Sequence, residues 1–530
     1  MRSIFTVVLI LLCLSTGAQT FNHFDLYHGL KDGDPGSFCV LGDKMLFAAQ
    51  DSNGRELWIT DGTRQGTYML KDIVPGQSPS WPSTFVTLNG KAYFLAADQA
   101  LNTNVWTTDG TPANTFMVKG VGFFNNSGVL GDLTVYNNKL YFFLQDSIVA
   151  LYESDGTPSG THIVKSGGQS WIVASSNFCE YGGKLYFQMS DGINGTQLWY
   201  TDGTEAGTQM LYRPEITFTS SKSPMKIRVC NNKMFYLGTD TLHGTELWVS
   251  DGSVQGTHMV KDLYAGKLPG INMDGVVYNG KLYFQGYDST HKGLFSSDGT
   301  DTGTQHIATL SFVGTNEYSA IYSGRLYFMA HDSIGSSCVY STDGSIAGTY
   351  RLTDSSGKDF LEPTMFVYDN HLYIQPLFNR SSSPGLIRSD GTVANTYTIL
   401  KGYINPRYAL SQWNSYFQEY KGKMWFGGCF DSTGKELWSF TDSTNSITNI
   451  SNVTSFSIYP NPNNGNFTIN TGNPFFDGIA TAYDMTGRVV ISKAIHGATH
   501  TLQLPIAAKG IYLIKLQSGD AVSTRKILVE

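Results

Sequence analysis

An all-β protein, a large β-propeller of eight to nine four-stranded blades followed by a small C-terminal β-sandwich, is predicted from three features of this 530-residue chain. First, the phrase Glu-Leu-Trp-x-(Thr/Ser)-Asp-Gly-Thr-x-x-Gly-Thr recurs in register, with its Asp at Asp61, Asp109, Asp155, Asp202, Asp251, Asp298, Asp343 and Asp390, 45 to 49 residues apart. A unit of that length cannot bury its own apolar faces and must stack on its neighbours. Second, the intervals are filled by short apolar segments separated by turn residues. Charged residues are only 15% against 13% aromatics and 57 glycines, a mixture suited to turn-rich β-structure. Third, a different strand-and-turn pattern takes over after residue 455.

Residues 1–18 read as a secretory signal peptide. Arg2 supplies the positive start, Phe5 to Leu14 the apolar stretch, and Gly17-Ala18 a small-residue cleavage site before Gln19. No later segment is apolar enough to cross a bilayer as a helix, so no transmembrane anchor is expected. A net charge of −7 gives no electrostatic footprint for nucleic acid or anionic membrane. Five cysteines follow the signal (Cys39, Cys179, Cys230, Cys338 and Cys429), an odd number with no zinc spacing, and they read as buried small hydrophobes.

Residues 19–445 form the propeller. Each unit opens with an apolar strand such as Thr84 to Leu88, then a two-residue turn: Asn89-Gly90, Asn137-Asn138, Gly182-Gly183, Asn231-Asn232, Asn279-Gly280 or Ser323-Gly324. Asn and Gly tolerate the positive φ that a tight hairpin needs. The second strand carries Lys-Leu-Tyr-Phe, as in Lys139 to Phe142, with Leu and Phe on one face and Tyr on the other. Both faces are then apolar, as expected for a sheet sandwiched between two others. The third strand carries Trp58, Trp106, Trp199, Trp248 and Trp438, and the Asp-Gly-Thr turn leads to a fourth, such as Tyr68 to Asp72. Four-stranded antiparallel sheets covered on both sides and repeated describe a propeller.

A degraded ninth copy keeps Glu436-Leu437-Trp438, but its Asp442 comes one residue late and no Gly-Thr follows. The segment Phe24 to Asp32 reads as a fourth strand, since Leu30-Lys31-Asp32 matches Leu70-Lys71-Asp72, and is expected to complete the last unit and close the ring. Nine units exceed the usual four to eight blades. An eight-bladed ring with one irregular unit and a pair of smaller rings therefore stay open. The repeated phrase resembles the ELWxxDGT repeat of bacterial secreted proteins over about residues 24–445, a resemblance that implies little chemistry.

Residues 446–455 lie in a Thr-, Ser- and Asn-rich linker. Residues 456–530 carry Tyr459-Pro460-Asn461-Pro462, then Asp484-Met485-Thr486-Gly487-Arg488, then Gly510-Ile511-Tyr512, within alternating strands that suit a small sandwich. They resemble the C-terminal sorting domain, type A, of type IX secretion cargo. That resemblance implies passage through the periplasm and across the outer membrane, the type IX machinery as a partner, and a product released or held at the surface.

The Asp-Gly-Thr carboxylates invite a calcium or sugar reading. A turn in which Asp accepts backbone N–H bonds explains eight equivalent copies better. The turn is similar in role to the Asp-box of sialidases, though its spacing differs. A second acidic series, Asp51, Asp98, Asp146, Asp191, Asp240, Asp288, Asp332 and Asp431, lies between second and third strands. It lacks the rest of a calcium-binding loop and reads as solvated turns. The tryptophans read as packing between units rather than as sugar platforms. No catalytic, cofactor-binding or metal residue is assigned and no cofactor is expected, calcium being a weak candidate. The expected function is binding or adhesion to a glycan or protein through loops at one rim. The alternatives are a polysaccharide hydrolase or lyase with carboxylates in the channel, and a purely structural surface protein. Irregular stretches Leu211 to Lys226 and Ser311 to Tyr318 are the expected places for unit-specific chemistry.

Overall fold

The computed structural model describes residues 20–442 and 456–530, apart from 30, 121–127, 147, 168–171, 192, 195, 212–225, 241, 333–334, 358, 361–362, 377–384, 401–416, 429–433, 472–476, 485–487, 505–508 and 519–520. The signal peptide, the linker, Cys429, Asp431 and most of Leu211 to Lys226 thus lie outside the described residues. Those up to Asp442 form one compact unit and those from Phe456 another. Neither contains a helix among the described residues.

Nine four-stranded antiparallel repeats make up the larger unit among the described residues. The first comprises Gly36–Leu41, Lys44–Asp51, Gly54–Thr60 and Tyr68–Lys71, paired in that order. Repeats 2 to 8 span 83–119, 128–166, 172–211, 228–261, 271–309, 312–352 and 363–400. Repeats 2 and 3 are additionally linked by a parallel bridge between Thr103 and Gly128. The ninth repeat supplies only three strands of its own, Phe417–Tyr420, Lys423–Gly428 and Glu436–Thr441, and Thr20–Phe24 pairs with the last of these as its fourth.

The hairpins explain why the period is kept. Both residues of the six two-residue turns named above have positive φ, among them 51° and 75° at Asn89-Gly90 and 47° and 59° at Asn137-Asn138. That geometry matches the right-handed twist of the flanking strands. The face assignment of the second strand holds as well. Leu140 and Phe142 pack with repeat 2, while Tyr141 and Phe143 pack with repeat 4.

The core is not one mass but nine apolar clusters, each at the junction of two consecutive repeats. The first joins Leu57 and Ile59 to Phe94 of repeat 2, and the eighth joins Tyr368 and Tyr373 to Trp438 and Phe440 of repeat 9. The ninth joins Trp425 and Leu437 of repeat 9, with Phe24, to Phe47 and Trp58 of repeat 1. Every repeat therefore shares a buried cluster with the next, and the last with the first, which is a nine-membered ring. Trp58, Trp199, Trp248 and Trp438 all lie buried in these junctions, as expected from their mid-strand positions.

A second tie crosses the junctions. Where the first strand ends in tyrosine, its hydroxyl donates to a carbonyl in the next repeat's hairpin: Tyr136 to Gly183 at 2.5 Å, Tyr181 to Asn232 at 2.7 Å, Tyr278 to Gly324 at 2.5 Å, Tyr322 to Asn370 at 3.0 Å and Tyr368 to Gly422 at 2.8 Å. Tyr420 makes the same bond from repeat 9 to Asp43 of repeat 1.

The N-terminal strand closes the ring as expected but in another register. Phe24 pairs with Leu437 where repeat 1 pairs Lys71 with Leu57. Phe24-Asp25-Leu26 is thus the counterpart of Lys71-Asp72-Ile73, seven residues before the segment that the Leu-Lys-Asp likeness selects. A buried glutamate fixes this register. Glu436 accepts the amides of Leu26 and Gly33, as Glu56 accepts those of Ile73 and Ser80 and Glu246 those of Leu263 and Gly270.

The C-terminal unit consists of two sheets, Ser457–Tyr459 with Asn466–Asn470 and Thr499–Gln503, and Val489–His496 with Asp477–Tyr483, Gly510–Ser518 and Ala521–Val529. Phe456, Phe467, Ile469, Tyr512, Ile514 and Ile527 fill the space between them. Asn461 clasps the final strand: its side-chain oxygen accepts the Leu528 amide at 2.8 Å and its NH₂ donates to the Lys526 carbonyl at 3.1 Å.

Candidate functional site

Antiparallel order divides the loops between two rims. First-to-second hairpins and Asp-Gly-Thr turns share one rim. Loops between second and third strands, and connections between repeats, share the other.

On the hairpin rim the Asp-Gly-Thr turn is closed on itself. In repeat 4, Asp202 Oδ1 accepts both the amide and the hydroxyl of Thr204, at 2.9 and 2.7 Å. Thr201 and Thr208 share a hydroxyl contact at 2.7 Å, and the Gly203 amide donates to the Thr201 hydroxyl at 2.9 Å. The same set recurs in all eight copies, for example around Asp61 and Asp343. The threonine hydroxyl and amide hold the Asp202 carboxyl below the usual range. Gly203 has φ +97°, and a Cβ there would stand 2.6 Å from the Tyr141 hydroxyl of the preceding repeat. These carboxylates build turns, and the geometry repeated in all eight copies does not by itself favour a sugar or calcium reading.

On the loop rim the second acidic series does similar work. Asp98 Oδ1 accepts the amides of Ala100 and Asn102, Asp191 those of Ile193 and Asn194, and Asp240 those of Leu242 and His243. At Asp288, burial pushes the carboxyl up, but donors from Thr290 and His291 prevail and hold it down at about 2. Among the described residues no group of three or more His, Cys, Asp or Glu is placed to hold a metal ion.

These braced loops and the connections between repeats present large apolar side chains to solvent. Ile193 is 87% exposed, Leu242 69%, Leu101 65%, Leu268 58% and Trp81 53%. All five lie on the loop rim, in or between repeats 1 to 6. The sequence reading missed them. For Leu101, Ile193 and Leu242 the signal is an apolar residue two or three positions after the loop aspartate, as in Asp191-Gly192-Ile193 and Asp240-Thr241-Leu242. Beneath this rim sit three buried carboxyls. Burial pushes Glu56 up, Glu246 up to about 8 and Glu436 up to about 7, against the pull of their amide donors.

The stretch Ser311 to Tyr318 lies mostly within the inner strand Phe312–Tyr322 of repeat 7 and adds no separate loop. The four described cysteines are free; Cys39, Cys230 and Cys338 are buried and Cys179 is partly so.

Residues 457–530 match the family model of the secretion system C-terminal sorting domain. That domain directs export across the outer membrane to the cell surface or extracellular space. Among the described residues no helix is long and apolar enough to cross a membrane. No match is found among curated proteins. Similar solved structures include PorZ, an essential bacterial surface component of the type-IX secretion system of Porphyromonas gingivalis, at 12% identity and TM-score 0.35, covering 93% of this chain and 75% of that one. A Mycobacterium tuberculosis puromycin-hydrolyzing peptidase is 8% identical with TM-score 0.35, over 67% of this chain and 61% of that one. The β-propeller domain of the Trilobed protease from Pyrococcus furiosus, which has an open velcro topology, is 11% identical with TM-score 0.32, over 61% of this chain and 99% of that one.

Proposed function

We propose that the exported propeller is a binding module that takes its ligand, a protein or a glycan, on the loop rim, with the C-terminal domain engaging the type IX machinery. The observation that carries this reading is the set of exposed apolar tips, Leu101, Ile193 and Leu242, each held out by an aspartate that bonds its own loop. Braced apolar groups rimmed by polar residues are the surface a protein partner buries, so they favour protein over glycan. Rigid loops also lower the ordering cost of association.

The hydrolase or lyase reading asks for carboxylates converging on one point of the channel. Glu180 and Glu419 are exposed at matching places on inner strands, but they belong to repeats 4 and 9, nearly across the ring.

The test compares the full exported chain with the triple variant Leu101→Asp/Ile193→Asp/Leu242→Asp, by cross-linking on intact cells, on a glycan array and in a polysaccharide-degradation screen. A specific ligand lost in the variant, at unchanged melting temperature, is expected. Polysaccharide turnover, or binding indifferent to the variant, would overturn the reading.

A further inference from the structure

The junction between repeats 8 and 9 departs from the others on the hairpin rim, opposite the loop surface above. At five other junctions the second-strand tyrosine lies under the glycine of the next repeat's Asp-Gly-Thr turn, as Tyr327 lies under Gly391. Repeat 9 lacks that turn. Its aspartate, one residue late, takes the glycine's place: Asp442 accepts the Tyr373 hydroxyl and lies 2.8 Å from Nε of Arg388, with its side chain fully buried.

Arg388 stands where other repeats carry Ile59, Thr107 or Ser341, and it is only 8% exposed. Its Nη1 donates to the Tyr397 hydroxyl at 2.7 Å. Its Nη2 donates to His371 Nε2 at 2.6 Å, which places the imidazole proton on Nδ1, 2.7 Å from the Asp369 carbonyl. His371 itself replaces the Lys or Arg that begins the second strand in the other eight repeats. Beside these groups opens a cavity of about 170 Å³ lined by His371, Arg388, Asp390, Asn395 and Tyr397.

We propose that this cavity is a binding subsite for a single neutral sugar ring. The volume is well below the roughly 300–1,000 Å³ that drug-sized ligands fill. The Arg388 charge is already matched by Asp442, and Asp390 adds a negative group, so an anion gains no net attraction. A cation would meet the guanidinium donors. A polyhydroxyl ligand uses both kinds of partner, since Arg388 donates, the Asp390 and Asn395 side chains carry acceptor oxygens, and the Tyr397 hydroxyl accepts from Arg388 while keeping its own proton to give. Tyr397, 43% exposed, adds an amphipathic ring of the kind on which a sugar face packs. The preset Arg388 and Tyr397 geometry removes much of the ordering cost that a small ligand cannot offset.

The experiment is saturation-transfer NMR and titration of the full chain with D-glucose, D-galactose, D-mannose and N-acetylglucosamine, beside glucuronate and inorganic phosphate. At least one neutral sugar is expected to bind. Tyr397→Ala should weaken it about tenfold. Asn395→Gly places the residue found there in six repeats, so the turn stays folded, and it should also weaken binding. The double variant Arg388→Ser/Asp442→Gly gives the junction side chains typical of the regular repeats and should abolish binding with the melting temperature retained. Ile479→Asp, at an exposed position of the C-terminal unit, should leave sugar binding unchanged, and because none of the loop-rim side chains lines this cavity, failure here leaves the loop-rim reading standing. Binding of the anions alone, binding by none of the sugars, or binding that survives the double variant would overturn the proposal.

Discussion

A single glycine explains why the repeated phrase ends as it does. Five residues after each turn aspartate stands Gly66, Gly160, Gly207, Gly256, Gly303 or Gly348, and a Cβ at Gly207 would come within 2.0 Å of Asp202 Oδ1. Alanine there must push the carboxylate off its threonine. In repeats 2 and 8 the position is Asn114 or Asn395, whose NH₂ donates to the same aspartate at 2.6 Å, so the intrusion is compensated by a bond. Gly207→Ala should therefore cost about 1–2 kcal/mol and Gly207→Asn clearly less, measured by denaturant unfolding. The opposite ranking would contradict this account of the turn. Such positions were readable because each recurs: the hairpin pairs Asn89-Gly90 and Asn279-Gly280, the turn aspartates and the Trp register all sit where the chain order implies. The residues at the repeat 8–9 junction were not. Arg388 is one variable position among many, and the lateness of Asp442 looked like decay until the fold set it beside Tyr373.

Single strands and their caps decide how firmly the ring is held. Thr20–Phe24 covers the edge of Glu436–Thr441, buries Phe24 and brings the amides that Glu436 accepts. Deleting residues 20–26 would take the Leu26 amide from that buried carboxylate and expose a strand edge, so the melting temperature should fall by several degrees and aggregation should appear. Tyr420→Phe removes one junction bond, to the Asp43 carbonyl, and should cost about 1 kcal/mol in denaturant. The closing strand was legible in kind but placed seven residues too far along. Leu30-Lys31-Asp32 resembles the outer-strand phrase, whereas the pairing is set by the Glu436 carboxylate, a long-range contact with no local trace. The buried glutamates also give pH dependence. Glu246, near 8 in the folded chain, keeps a proton that the unfolded chain releases above its ordinary value of 4.5. The folded state then binds more protons, so stability falls as pH rises from about 4.5 to about 8. Unfolding midpoints at pH 5 and pH 8 should show that decline, and Glu246→Gln should flatten it.

At the scale of the molecule, nine thin sheets share nine buried junction clusters, and none has a core of its own. Loss of one junction is then felt by the whole ring, unlike an open array where terminal repeats fray alone. Sequence periodicity established the stacking but left eight blades, nine blades or two rings open, because a repeat count does not say which repeat meets the first. The pairing of Thr20–Phe24 with the ninth repeat answers that, and it places residues 22 and 439 directly opposite across one strand pair. In antiparallel neighbours that spacing, about 4.5–5.5 Å between Cα atoms, lies within disulfide reach. The most direct measurement is therefore oxidation of the Asn22→Cys/Ser439→Cys variant of the full chain, read by peptide mass spectrometry with intact folding checked by circular dichroism. Near-complete formation of the 22–439 disulfide is predicted; a folded variant in which that bond does not form would contradict a ring closed by its own N-terminus.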